Sequence, residues 1–182
     1  MGNALKVAIE RALQPLLGLP LSDMWRISRF GLQRVEFGEQ RASQNRRGEA
    51  VAYGSCFLHV ACAWRIVTAG AIVIGADDYN GRQRHEPFPS RLDPDNSELD
   101  AFAQRTSAFF DSLHNNPPVV EAIEADPIGS VRFFLSEAGR LEILPLESGP
   151  EEHWRLLYRD KRKRQFVVTG QGIEGHNSKA HT

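Results

Sequence analysis

The sequence predicts an α+β domain, a largely antiparallel sheet with two main helices packed on it. Two observations lead there. Two segments carry apolar residues at three- and four-residue spacing, whereas many short runs of alternating or β-branched residues, separated by turn residues, fill the rest. Helices and strands do not alternate regularly, which disfavours a doubly wound parallel sheet.

The first helix is read from Leu5, Ile9, Leu13, Leu16 and Leu17, with charges between them, and it ends near Gly18. Pro20 opposes continuation. Trp25, Ile27, Leu32, Val35 and Phe37 then suggest two short strands turning near Phe30 and Gly31, and the polar stretch 39–49 reads as a loop. Cys56, Leu58, Val60, Cys62, Trp64 and Ile66 occupy alternate positions, so one continuous strand would place all six on a core face. Phe57, His59, Ala61, Ala63, Arg65 and Val67 would form the opposite face. Ala69 and Gly70 supply a turn, and residues 72–74 a partner strand.

Residues 76–96 are dense in Asp, Pro, Gly, Asn and Arg and carry no periodicity, a length that compact domains seldom tolerate without a purpose. A second helix enters through Ser97 with Asp100 three positions on, striped by Leu99, Phe102, Ala103, Thr106, Phe110 and Leu113 and stopped at 115–118. Segments 119–123, 131–135, 141–144, 154–158 and 166–168 read as successive strands. The expected organisation is a single α+β domain over 1–170 and a flexible C-terminal tail over 171–182.

A chain of 182 residues with 41% hydrophobic residues can bury one core, which excludes global disorder. The formal charge of -1 supplies no overall field for nucleic acid or an anionic bilayer, and its weak colloidal repulsion permits a homodimer. Lys6, Glu10 and Arg11 interrupt any secretory core at the N-terminus, and Lys6 stands where myristoylation needs Ser or Thr. The apolar run 56–76 holds His59 and Arg65 at mid-depth, so it reads as a buried hairpin rather than a membrane span. The expected location is cytoplasmic, with no membrane partner.

Several motifs resemble chemistry and fail on geometry. Gly170, Gly172 and Gly175 spell G-x-G-x-x-G, but too little sequence follows for the helix and second strand that a dinucleotide site requires. On a strand Cys56 and Cys62 share one face while His59 takes the other, so the three cannot converge on zinc, and the thiols stand too far apart for a disulfide. Asp78-Tyr79-Asn80-Gly81 opens like a calcium loop, but Ala76 and Pro87 occupy two ligand positions. The basic run 161–164 falls where a hairpin should turn, and solvation explains it. The chain has no G-x-S-x-G, H-E-x-x-H or P-loop. No catalytic residue, metal or cofactor is therefore assigned, and the expectation leans away from an enzyme. The candidate binding residues are His59, Arg65, Asp77, Asp78, His153 and Arg155.

The stretch Phe57-Leu58-His59-Val60-Ala61-Cys62-Ala63-Trp64-Arg65-Ile66, an acidic residue at Asp77 or Asp78, and Glu152-His153-Trp154-Arg155 carry a likeness. Together they resemble an uncharacterised family of small bacterial proteins with HVxCxWRI and EHWR motifs. The opening Leu16-Leu17-Gly18-Leu19-Pro20-Leu21 is also similar to that family's start. Ala61 and Ala63 replace the more usual Gln and Pro, which removes any role for that Gln here. The resemblance implies no catalytic assignment, and by analogy of size and distribution it implies an immunity-type accessory protein.

The functional expectation is a non-catalytic bacterial protein-binding domain, of the immunity or accessory kind, contacting a protein partner through the 77–96 loop and a sheet face. The alternative is a small enzyme or small-molecule binder with a polar pocket around His59, Arg65 and His153.

Overall fold

The computed structural model describes residues 2–27, 32–44, 48, 50–76, 78, 100–113, 116–137, 139–160 and 162–174. The chain opens with helix α1 (Gly2–Leu13) and a 3-10 turn (Gln14–Leu16), then runs through strands β1 (Leu21–Arg26), β2 (Gln33–Phe37), β3 (Arg41–Gln44) and β4 (Ala50–Tyr53). Next come β5 (Cys56–Val60), β6 (Ala63–Thr68) and β7 (Ala71–Gly75), and helix α2 (Asp100–Ser112) follows. The chain continues through β8 (Val120–Ala125), β9 (Val131–Leu135), β10 (Gly139–Leu144), β11 (Glu152–Tyr158), β12 (Phe166–Thr169) and β13 (Gly172–Ile173).

These strands correct the expected fold class. The protein is mainly β, 50% strand against 18% helix, and its strands form three sheets rather than one sheet under two main helices. A six-stranded antiparallel sheet has the order β1-β2-β5-β11-β12-β13, and a five-stranded one has the order β7-β6-β10-β9-β8. The ribbon β3-β4 stands apart from both. Two causes separate the expectation from the structure. The stretch 39–49 looked like a loop because the ribbon's strands bury little, β3 being exposed throughout. The run 56–66 looked like one strand, whereas a bend at Ala61 and Cys62 sends its two halves into different sheets.

The two large sheets face each other across one core. Val35, Leu58, Val60 and Leu156 from the six-stranded sheet and Ile66, Val131, Leu141 and Ile143 from the five-stranded sheet belong to a single apolar cluster. Phe37 of β2 meets Phe133 of β9 across the interface with ring centroids 5.6 Å apart. Trp154 of β11 is fully buried, and its indole N–H donates to the Gly129 carbonyl ahead of β9 at 3.0 Å. That bond satisfies the one polar group the indole takes out of water. Alternation survives the bend: Cys56, Leu58 and Val60 point inward before it, and Trp64 and Ile66 after it. Where β1 begins, Leu21 N donates to Pro118 O and Gly18 N to Val120 O, so the edge of one sheet is stitched to the edge of the other.

The helices cover what the sheets leave open. α1 packs on β8 through Ile9 and Leu13, both fully buried, and the Glu10 carboxylate accepts from Ala125 N. α2 packs on β1 and β7 through Thr106 and Phe109. Gly172 and Ile173 extend the six-stranded sheet as its last strand, so ordered pairing continues past residue 170. The second glycine of the G-x-G-x-x-G run thus sits in a strand.

Candidate functional site

The register of the six-stranded sheet aligns Trp25, Arg34, His59, Arg155 and Val167 as direct cross-strand neighbours. A second row places Asp23, Glu36, Phe57 and Leu157 side by side. Because Val35, Leu58 and Leu156 point into the core, period-two alternation aims these rows outward. The two motifs that carried the family resemblance are thereby neighbours, Leu58-His59-Val60 pairing with Trp154-Arg155-Leu156 in the middle of the sheet.

This outer face is built of rings and guanidiniums. Arg34 lies 3.5 Å from the ring centroid of Phe57, 5.0 Å from that of Trp25 and 5.7 Å from that of Tyr53, which arches over from β4. Its guanidinium also donates to Glu36, whose other carboxylate oxygen accepts from Gly54 N. Glu36 is thus the anchor that fixes the ribbon to the sheet. Arg155 is clamped by Glu152 through two hydrogen bonds. In both pairs the carboxylate is set deeper than its partner: the Glu36 side chain is 0% exposed against 17% for Arg34, and Glu152 is 22% against 33% for Arg155. Arg155 is therefore the more exposed of the two cations, while Arg34 lies enclosed between rings.

His59 stacks beside Phe57 with centroids 5.1 Å apart, and its Nε2 is buried without a hydrogen-bond partner among the described residues. Burial, then the charges of Arg34 and Arg155, hold its imidazole below the ordinary value of 6.5, against a smaller opposite pull from Glu152. The ring is neutral near neutral pH.

The other candidates go elsewhere. Arg65 projects from the outer face of the five-stranded sheet, where it, Arg140 and Arg132 surround the Glu142 carboxylate. Burial raises the Glu142 pKa, but hydrogen bonds and charge from Arg140 and Arg65 outweigh it and keep the group below the usual carboxylate range. Asp78 accepts from Gly75 N and from Arg105 of α2, a structural tie between strand end and helix. Asp77 and the remainder of the 77–96 loop lie outside the described residues. His153 occupies a bulge of β11, 4% exposed, and lines a cavity of about 160 Å³ with Cys62, Leu146 and Glu147, in which neither His59 nor Arg65 takes part. The structure joins His59 to Arg155 and disperses His59, Arg65 and His153.

Reading the sequence missed Trp25, Arg34, Glu36 and Tyr53 as parts of this face. The signal was present in Arg34 and Glu36, two residues apart on a strand and so on one side of it. Burial pushes the Cys56 thiol up and the Cys62 thiol up to about 12, which favours the protonated form of both. Among the described residues no group of three or more His, Cys, Asp or Glu side chains could hold a metal ion. Nor, among them, is any helix long and apolar enough to cross a membrane.

Fold and face together define a mainly β domain whose two large sheets share one core, with aromatic rings and paired charges on the outer face of the six-stranded sheet. No family model, curated protein or solved structure matches the chain.

Proposed function

We propose that the chain is a non-catalytic protein-binding domain of the immunity or accessory kind, working in the cytoplasm, whose contact surface is the outer face of the six-stranded sheet. One observation carries the reading: the aligned row Trp25, Arg34, His59 and Arg155, with Phe57 and Tyr53 against it. Trp, Tyr and Arg are the side chains that dominate protein interfaces, and here they are held rigid by stacking and by buried carboxylates. The half-exposed Arg155 beside these rings suits a partner that presents a hydrogen-bond acceptor next to an apolar centre.

The test is capture of a partner from native lysate by the immobilised full chain and by its Trp25→Ala variant, with circular dichroism confirming that the variant folds. One protein should be recovered at near-equimolar yield on the unaltered chain, and its affinity should fall at least about tenfold on the variant. Recovery of no stoichiometric protein, or equal retention by the variant, would remove this reading. Recovery of the chain itself alone would make the face a homodimer contact instead.

A further inference from the structure

A cleft of about 570 Å³ opens between the β3-β4 ribbon and the turn joining β11 to β12. Its size is that of a small-molecule site, which typically holds about 300–1,000 Å³. Leu19, Cys56 and Tyr158 contribute to its wall, and Arg41, Arg159 and Lys163 contribute three cations. The Arg159 guanidinium lies 3.8 Å from the ring centroid of Tyr53 while its Nε donates to Gly54 O at 3.0 Å. The Lys163 ammonium lies 4.6 Å from the ring centroid of Tyr158.

Rings hold both cations in place without cancelling their charge. The carboxylate in the lining, Asp160, is turned to Arg162, which pairs with it at 2.9 Å. Among the described residues no carboxylate pairs with Arg41, Arg159 or Lys163. Three cations against the one carboxylate of Asp160, itself paired with Arg162 and within the field of Lys163, leave an excess of positive charge on a concave site with apolar walls, inside a chain whose net charge is only -1. An Arg fork with free N–H groups suits a phosphate, and the apolar wall suits an organic body attached to it.

We infer that this cleft binds a phosphorylated small molecule, its phosphate between Arg159, Lys163 and Arg41 and its carbon skeleton against Leu19 and Tyr158. The inference is independent of the protein-binding reading, because the sheet face and the cleft share only Tyr53.

Calorimetric titration of the full chain at low salt with 1-naphthyl phosphate, 1-naphthol and inorganic phosphate tests it. Naphthyl phosphate should bind saturably with a Kd on the order of 100 µM, and each of the other two at least about tenfold more weakly. Lys163→Gln and Arg41→Gln, both exposed positions, should each weaken naphthyl phosphate about tenfold, while Arg132→Gln on the opposite sheet should leave it unchanged. Absence of saturable binding, equal loss in Arg132→Gln, or tighter binding of single-stranded DNA than of naphthyl phosphate would overturn the proposal. None of these outcomes bears on whether a protein partner is captured by Trp25.

Discussion

At the scale of single residues, two buried or half-buried groups set measurable responses. Glu142 accepts hydrogen bonds from Arg65 and Arg140 and is ion-paired with Arg132 at 3.8 Å, and its side chain is 4% exposed while theirs are 41–57% exposed. Glu142→Gln leaves those guanidiniums facing one another without their counter-charge. Since water already screens the arginines, the expected loss is about 1–2 kcal/mol, read as a lower urea midpoint. The exposed Glu124→Gln should change stability by less than about 0.5 kcal/mol. His59 responds to pH in a direction that its depressed pKa fixes. Unfolding releases the imidazole to its ordinary value of 6.5, so between the two values the unfolded chain binds more proton. The stability tied to a neutral His59 is complete above pH 6.5 and is lost as pH falls through 6.5 toward the folded value. Urea midpoints measured across that window should drop less steeply for His59→Gln than for the unaltered chain; parallel curves would show that His59 is not the titrating group.

At the scale of elements, the ribbon β3-β4 is held by a few contacts and is correspondingly easy to detach. Gly54 donates its N–H to Glu36 and its carbonyl accepts from Arg159, and a Cβ at this position would stand 2.3 Å from the Phe37 carbonyl oxygen. Gly54→Ala must therefore shift backbone against backbone. A cost of about 2 kcal/mol is expected, together with faster amide exchange at Glu36-facing Gly54 and its neighbours than in β5, measured by hydrogen exchange. The elements that were plain in the sequence are those with one dry face. The apolar stripe of α1 and the alternation in β9, β11 and β12 announce burial directly. Residues 41–44 are exposed throughout and of 50–53 only Val51 and Tyr53 are half-buried, so the pairing left little mark in the pattern and 39–49 reads as a loop. His59 was legible as an outward residue because its neighbours are core, and Arg155 only as a polar candidate. Their meeting was not, because register between β5 and β11 depends on strands separated by almost a hundred residues of sequence. Arg34 and Tyr53 were hidden for the same reason.

At the scale of the whole molecule, both sheets share one core and are stitched at an edge, so they should lose structure together. Three tryptophans make this testable, since Trp64 stands on the five-stranded sheet and Trp154 on the six-stranded one. In a variant carrying Trp25→Phe and Trp64→Phe, and in another carrying Trp25→Phe and Trp154→Phe, the fluorescence transition in urea should coincide with the far-ultraviolet dichroism transition. Separate midpoints in either variant would show that the sheets are independent units. The many pairings distant in sequence also imply folding on the slow side for this length, in milliseconds to seconds.

The bend at Ala61 and Cys62 acts as a ruler with no tolerance. Inside and outside are assigned by parity on both of its flanks, so one added residue there could keep β5 correctly turned only by everting β6, or the reverse. A change of length is therefore costly at this joint, and anyone splicing, permuting or redesigning the chain should cut elsewhere.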